Sequence, residues 1–295
     1  DRIPSFKALQ QLEGEKRLQL RVLKILPVTA MDEIIAIGLQ SGFGSSHLTY
    51  RGIKLFADGA LGTKTAAMLS PYENTTETGM LLLEKNELME LAQKASQNHL
   101  QLAIHAIGDL ANRVVIQTFQ KLRQWECENQ IAGLPHRIEH LQTCQLEDIQ
   151  TLSKLNVIAS VQPIHLASDI PAAEKWLGDR SKGTYAFNSF LNAGIPLVFG
   201  SDAPVELPDC LLGIHTAIHR TQRNDTPIGG WQKQEKLSPL EALRGFTRYP
   251  HQYFSLNDAQ LGQISPGFKA DLVVLNDLPL DPTTNSFKDL VIQKT

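Results

Sequence analysis

Short apolar runs alternate with amphipathic stretches along most of this 295-residue chain. Runs near residues 22, 54, 103, 139, 160 and 198 read as strands. Between and after them, 30–39, 85–98, 110–128, 146–155, 187–193, 211–222 and 238–246 read as helices, because apolar residues recur there at helical spacing. In 85–98, for example, Leu88, Leu91, Ala92 and Ala95 share one face. Successive strands separated by helices need crossover connections, so they lie parallel and carry helices on their outer face. The expected class is therefore α/β, a (β/α)8 TIM-barrel type over residues 1–255. It is incomplete, since only about six of the eight strands are visible. Residues 256–295 differ in kind. They run from the turn-rich Leu261-Gly262-Gln263-Ile264-Ser265-Pro266-Gly267 into Leu272-Val273-Val274-Leu275, and read as part of a small appended β-domain.

Punctuation supports this division. Gly194 follows 187–193 as a helix C-terminal cap. Ser238-Pro239-Leu240-Glu241 combines a capping Ser, a Pro at the first helical position and a Glu in the first turn. Residues 63–79, rich in Thr, Ser, Pro and Gly, form a long loop after the second strand, where barrels place function.

Composition narrows the partners. Hydrophobic residues make up 42% and charged residues 20%, enough for a large core. The net charge is -3 and no basic tract of about five or more residues appears, so no nucleic-acid or membrane partner is expected. No apolar run is long enough to span a bilayer. The three cysteines, Cys127, Cys144 and Cys210, are scattered, as in a reducing, cytoplasmic protein. The start, Asp-Arg-Ile-Pro, has neither an initiator Met nor a signal sequence, and the chain is expected to be a piece of a longer one.

The chemistry sits at strand ends. Ile53-Lys54-Leu55-Phe56-Ala57-Asp58, Ile104-His105-Ala106-Ile107-Gly108-Asp109, Arg137-Ile138-Glu139-His140 and Val198-Phe199-Gly200-Ser201-Asp202 each carry a candidate metal ligand at or near the end of an apolar run. A parallel barrel brings such positions to one mouth. Imidazole and carboxylate suit zinc or a similar ion, which activates water near neutral pH. A lysine joins such a set only as a carbamate, formed with carbon dioxide. Taken singly, each residue has an ordinary structural role: a hydrogen-bonded His, a solvated Lys, an Asp capping a helix. The shared position at strand ends is what favours the metal reading.

These segments, together with Val161-Gln162-Pro163 and Gly200-Ser201-Asp202-Ala203-Pro204-Val205, resemble the metal-dependent amidohydrolase superfamily, in the branch containing N-substituted formamide deformylase. Gly262-Gln263-Ile264-Ser265-Pro266-Gly267-Phe268-Lys269-Ala270-Asp271-Leu272 is similar to the superfamily's closing β-sandwich. The resemblance implies a distorted TIM barrel, one or two divalent ions, and hydrolysis of a C–N bond in an amide, formamide or cyclic amide small-molecule substrate. Lys54, carboxylated, with His105, His140 and Asp202 would be ligands, and Asp202 also the general base. The superfamily's first strand carries His-x-His, and none of the nine histidines here is so paired. The expectation is an N-terminally truncated site that binds metal weakly or not at all when isolated. Its alternative is a catalytically inactive, metal-free scaffold. A homodimer through the open barrel edges is also expected.

Four secondary candidates remain. His165 follows the fifth strand and is assigned to substrate binding. Asp58 and Asp109 are assigned to hydrogen bonds behind the ligands. His215 and His219, four apart on a helix, have zinc spacing but no third ligand nearby.

Overall fold

The computed structural model describes residues 3–254, 260–277 and 287–295. Six strands, β1 (Val22–Pro27), β2 (Leu48–Phe56), β3 (Leu102–Ala106), β4 (Arg137–His140), β5 (Ile158–Val161) and β6 (Leu197–Phe199), form one sheet in chain order. Every adjacent pair is parallel. The connecting and flanking helices are α1 (Ile3–Gly14), α2 (Met31–Ala36), α3 (Lys85–Gln97), α4 (Asp109–Glu128), α5 (Leu146–Leu152), α6 (Pro163–Leu177), α7 (Phe187–Asn192), α8 (Cys210–His219), α9 (Pro239–Phe246) and α10 (Arg248–Phe254). This is an incomplete (β/α)8-type barrel with two free sheet edges, β1 and β6, among the described residues. A small antiparallel pair, β7 (Val274–Leu275) with β8 (Ile292–Lys294), accompanies it. The expected boundary at 255/256 lies outside the described residues.

Register explains which side chains meet. Lys54, Ala103, Arg137 and Ile158 form one row across the strands, and Phe56, His105, Glu139, Ser160 and Val198 form the next. Side chains alternate across a strand, so the neighbouring rows point the other way. Those rows hold Ile53, Leu55, Leu102, Ile104, Ile138 and Ala159, all buried under the helices. Burying each of the larger aliphatics stabilises the fold by roughly 1.5–3 kcal/mol. The polar rows are thus left on the inner face, at the barrel axis.

A bulge in β2 adjusts this alternation. The register with β1 slips between Lys24 and Ile25, opposite Gly52. Gly52 has φ +147°, and a Cβ there would lie 2.1 Å from the Gln101 carbonyl oxygen. Only glycine fits so strained and crowded a position.

Most expected elements are present, with shifts at their ends. The helix expected over 30–39 is a short 3-10 turn followed by α2. The helix expected over 211–222 is α8, which ends earlier because Arg220 adopts a left-handed conformation. Ser238 caps α9 as its sequence implies, its Oγ accepting from the Glu241 N–H at 3.2 Å. Residues 63–79 form no helix or strand. No described helix is long and apolar enough to cross a membrane.

Candidate metal centre at the barrel mouth

The C-terminal ends of β2, β3, β4 and β6 bring the candidate donors together. Lys54 and His105 sit in the two inward rows. By strict alternation His140 would face outward, like Ile138. Instead, His140 and Leu141 have φ of 75° and 45°, so the backbone leaves the extended region as the strand ends. The His105 and His140 rings meet edge-on, 4.4 Å between centroids. Asp202 follows β6, also with positive φ, 59°.

His165 lies in the first turn of α6, a helix that the sequence reading leaves as loop. Pro163 begins this helix, but Pro171 inside it reads as a breaker. The helix places the His165 ring 5.8 Å from that of His140 and its Nε2 3.8 Å from Asp202 Oδ2. One ligand atom from each of His140, His165 and Asp202 lies within 4.8 Å of the others. The His140 Nδ1 and His165 Nε2 atoms are buried without a hydrogen-bond partner.

Burial sets the charge states. It pushes the His105 imidazole down to about 4, against a 2.9 Å hydrogen bond between its Nε2 and the Gly59 carbonyl. His140 falls well below the ordinary imidazole range through burial, then through neighbouring His105 and Lys54. Both rings are therefore neutral near pH 7 and keep a lone pair. Burial also lowers Lys54, although the nearby Glu139 carboxylate opposes it. Asp202 is raised by burial, with His165 and Lys54 opposing. Burial would raise Glu139 as well, but Arg137 and Lys54 outweigh it and the net direction is down. Its Oε1 lies 2.6 Å from Arg137 Nε. Glu139 is thus an inward carboxylate beside Lys54 that the sequence reading does not single out. Its place in the His105 row is the signal that identifies it.

Asp58 and Asp109 organise the loops. Asp58 Oδ2 accepts from the Ala67 and Gly108 N–H groups at 2.9 and 2.8 Å, and Oδ1 from Ile107 at 3.0 Å. It therefore ties the long loop to the end of β3, and it lies 3.6 Å from His105 Nε2. Asp109 accepts from the Leu69 N–H at 2.8 Å and from Gln145 Nε2 at 2.9 Å, and so fastens the same loop from its other side. His215 and His219 stack elsewhere, on α8. The nearest carboxylate, Asp225, is held by Lys288 at 2.5 Å, which disfavours a cation there.

The neutral His140 imidazole and the His165 ring, each with an unpartnered ring nitrogen, lie beside the Asp202 carboxylate as a donor set that suits a divalent cation. A parallel barrel sheet with such donors at its mouth defines a (β/α)-barrel chain with a candidate metal centre. The chain belongs to the Amidohydrolase family, whose family model matches residues 2–295. It is 32% identical over 268 residues to Protein LONG AFTER FAR-RED 3 of Arabidopsis thaliana, covering 90% of this chain and 45% of that protein. It is 25% identical over 222 residues to N-substituted formamide deformylase of Arthrobacter pascens, covering 75% of this chain and 40% of that protein. In structure it is similar to an uncharacterized metal-dependent hydrolase from Pyrococcus horikoshii OT3, with TM-score 0.82 and 31% identity. That match covers 94% of this chain and 54% of the other. The chain thus spans about half the length of these relatives.

Proposed function

We propose that this chain carries the later strands of a metal-dependent hydrolase site acting on carbon–nitrogen bonds other than peptide bonds, in an amide, formamide or cyclic amide. The observation that carries the reading is the convergence of His140, His165 and Asp202, two of them with buried, unpartnered ring nitrogens. Similarity to N-substituted formamide deformylase supports the bond class.

In this reading His140, His165 and Asp202 hold a divalent ion, with zinc as the fitting choice, and His105 and Lys54 flank it. Such an ion supplies a polarising charge to a carbonyl oxygen and to water. The neutral His140 imidazole offers a lone pair without a competing proton. Asp202, partly open to solvent, accepts a proton from the attacking water and returns it to the leaving nitrogen; its raised pKa favours that exchange. Lys54 contributes once its neutral amine adds to carbon dioxide and loses a proton, which gives a carbamate with carboxylate-like oxygens. The competing reading, a metal-free scaffold, draws on Glu139, whose charge stabilises the Lys54 ammonium and so opposes that step.

Zinc analysis of the purified chain after loading and dialysis tests the proposal. One ion per chain is expected. H140A and D202A should each weaken retention by roughly tenfold or more, at least the effect of losing an outer-shell partner. Amine release from an N-substituted formamide would then identify the bond class. Zinc retention unchanged in both variants overturns the site, and no retention at all favours the scaffold.

A further inference from the structure

A second cavity lies at the opposite end of the sheet from the mouth. It has a volume of about 580 Å³ and opens among the N-terminal parts of β1 and β2, α10 and the segment around Leu261. Such a volume falls within the range of small-molecule sites. Its walls are apolar at Val22, Leu23, Phe254 and Leu261, and among the described residues no carboxylate lines it.

Arg51 also lines this cavity. It is the residue that the β2 bulge leaves unpaired, between Tyr50 and Gly52. The side chain is 2% exposed, and its Nε and Nη2 atoms are buried with no hydrogen-bond partner. An unpaired buried guanidinium is costly, because a charge removed from water needs an opposite charge or several acceptors. Two other nearby cations are already matched. Arg21 donates to Asp271, and Arg137 pairs with Glu139 while lying over the Phe254 ring. Burial lowers Arg51 to about 10, and Arg137 pushes it the same way, with no carboxylate offsetting either. A guanidinium at that value is still charged at neutral pH.

We propose that this cavity is an anion site that takes a carboxylate with an apolar body, received by the Arg51 guanidinium. The guanidinium charge matches a carboxylate, and the apolar walls fit the group that carries it. The site is independent of the metal reading: it lies at the other end of the strands and uses none of the same residues. The carboxylate can belong to a free small molecule or to an acidic side chain of a second copy, and the chemistry of recognition is the same.

Isothermal titration of the full chain with benzoate, and with benzamide as the uncharged control, tests this. Saturable 1:1 binding of benzoate is expected, with benzamide at least tenfold weaker. R51M should remove at least tenfold of the benzoate affinity. L23W, at an exposed wall position away from the guanidinium, should block binding while leaving the fold intact by circular dichroism. Benzoate binding that neither R51M nor L23W weakens, equal binding of benzamide, or no benzoate binding at all would overturn the site. Sedimentation velocity in parallel separates the two sources. Unchanged sedimentation on saturation assigns the site to a free ligand, and benzoate-driven dissociation of an associated form assigns it to a second copy.

Discussion

Asp58 offers a direct test of how the mouth is held together. Its two oxygens accept three backbone N–H bonds, two at Oδ2 and one at Oδ1, from Ala67, Gly108 and Ile107. The carboxylate is buried, 1% exposed, so these donors have no ready solvent substitute. Asp58→Ala leaves three donors without their acceptor. At about 1–3 kcal/mol for each orphaned group, and allowing for partial rescue by water in the vacated space, the loss should be about 3–6 kcal/mol. Asp58→Asn behaves differently. Its remaining oxygen, placed where Oδ2 sits, keeps the Ala67 and Gly108 bonds, and its NH2 confronts only the Ile107 N–H. The cost should be about 1–3 kcal/mol, a fraction of the alanine value. Urea denaturation of both variants, compared at constant m, measures this. Amide exchange at Ala67, Ile107 and Gly108 should accelerate in D58A, and at Ile107 in D58N. Equal destabilisation of the two variants would refute the reasoning, because it would make charge, rather than the number of acceptors, the source of the effect.

Other outcomes follow from separate parts of the structure. Burial would raise Glu126, but neighbouring His136 and hydrogen bonds from Ser96 and Arg123 outweigh it and hold the carboxyl at about 2, below its unfolded value of 4.5. Because the folded value is the lower one, this stability is present above pH 4.5 and is lost as pH falls toward 2. It amounts to about 3 kcal/mol, and an acid titration of stability in which E126Q shows the same slope as the parent would contradict the assignment. Gly245 on α9 faces Phe199 of β6 so closely that a Cβ would lie 2.3 Å from its ring. G245A should therefore cost about 1–3 kcal/mol by overpacking, read as a lower urea midpoint. Asp209 caps α8 by accepting from the Leu212 N–H at 2.9 Å, and D209A should lose about 1 kcal/mol in the same assay. The free edges of β1 and β6 should drive concentration-dependent association, and a single monomer in sedimentation at every concentration would count against it.

The strand positions of Lys54, His105 and Glu139 could be read from the sequence because alternation is a local rule and their rows obey it. The pairing of Asp58 with backbone N–H groups nine and fifty residues away could not, since it depends on how the long loop packs. Helix α6 was hidden for a different reason. Its internal Pro171 argues against a helix locally, yet the buried face of Ile164, Ala167, Ile170 and Ala173 provides the tertiary packing that overrides this. That override turns His165 from a loop residue into a neighbour of His140 and Asp202. Arg51 is a third case. Nothing in Tyr50-Arg51-Gly52 says that the guanidinium will be buried without a partner, because the bulge that positions it is set by β1 across the ladder.

The local strain has the same geography. His140, Leu141 and Asp202 are non-glycine residues at positive φ, each costing on the order of 1 kcal/mol or more. Such conformations persist only where surrounding contacts over-determine them. Here the Leu141 N–H donates to the Ala106 carbonyl at 3.0 Å, and the Val205 N–H to the Asp202 carbonyl at 2.9 Å. Leu141 is itself fully buried, which anchors the turn after His140. The consequence is specific. An extended His140 would point with Ile138 into the helix layer, where a polar ring would lack partners and the mouth would lose a donor. The chain therefore spends backbone strain at two of the three converging donors, and regains stability in the apolar rows behind them. Sequence pattern alone identifies those rows; the strained turns that aim the donors appear only once the strands are paired.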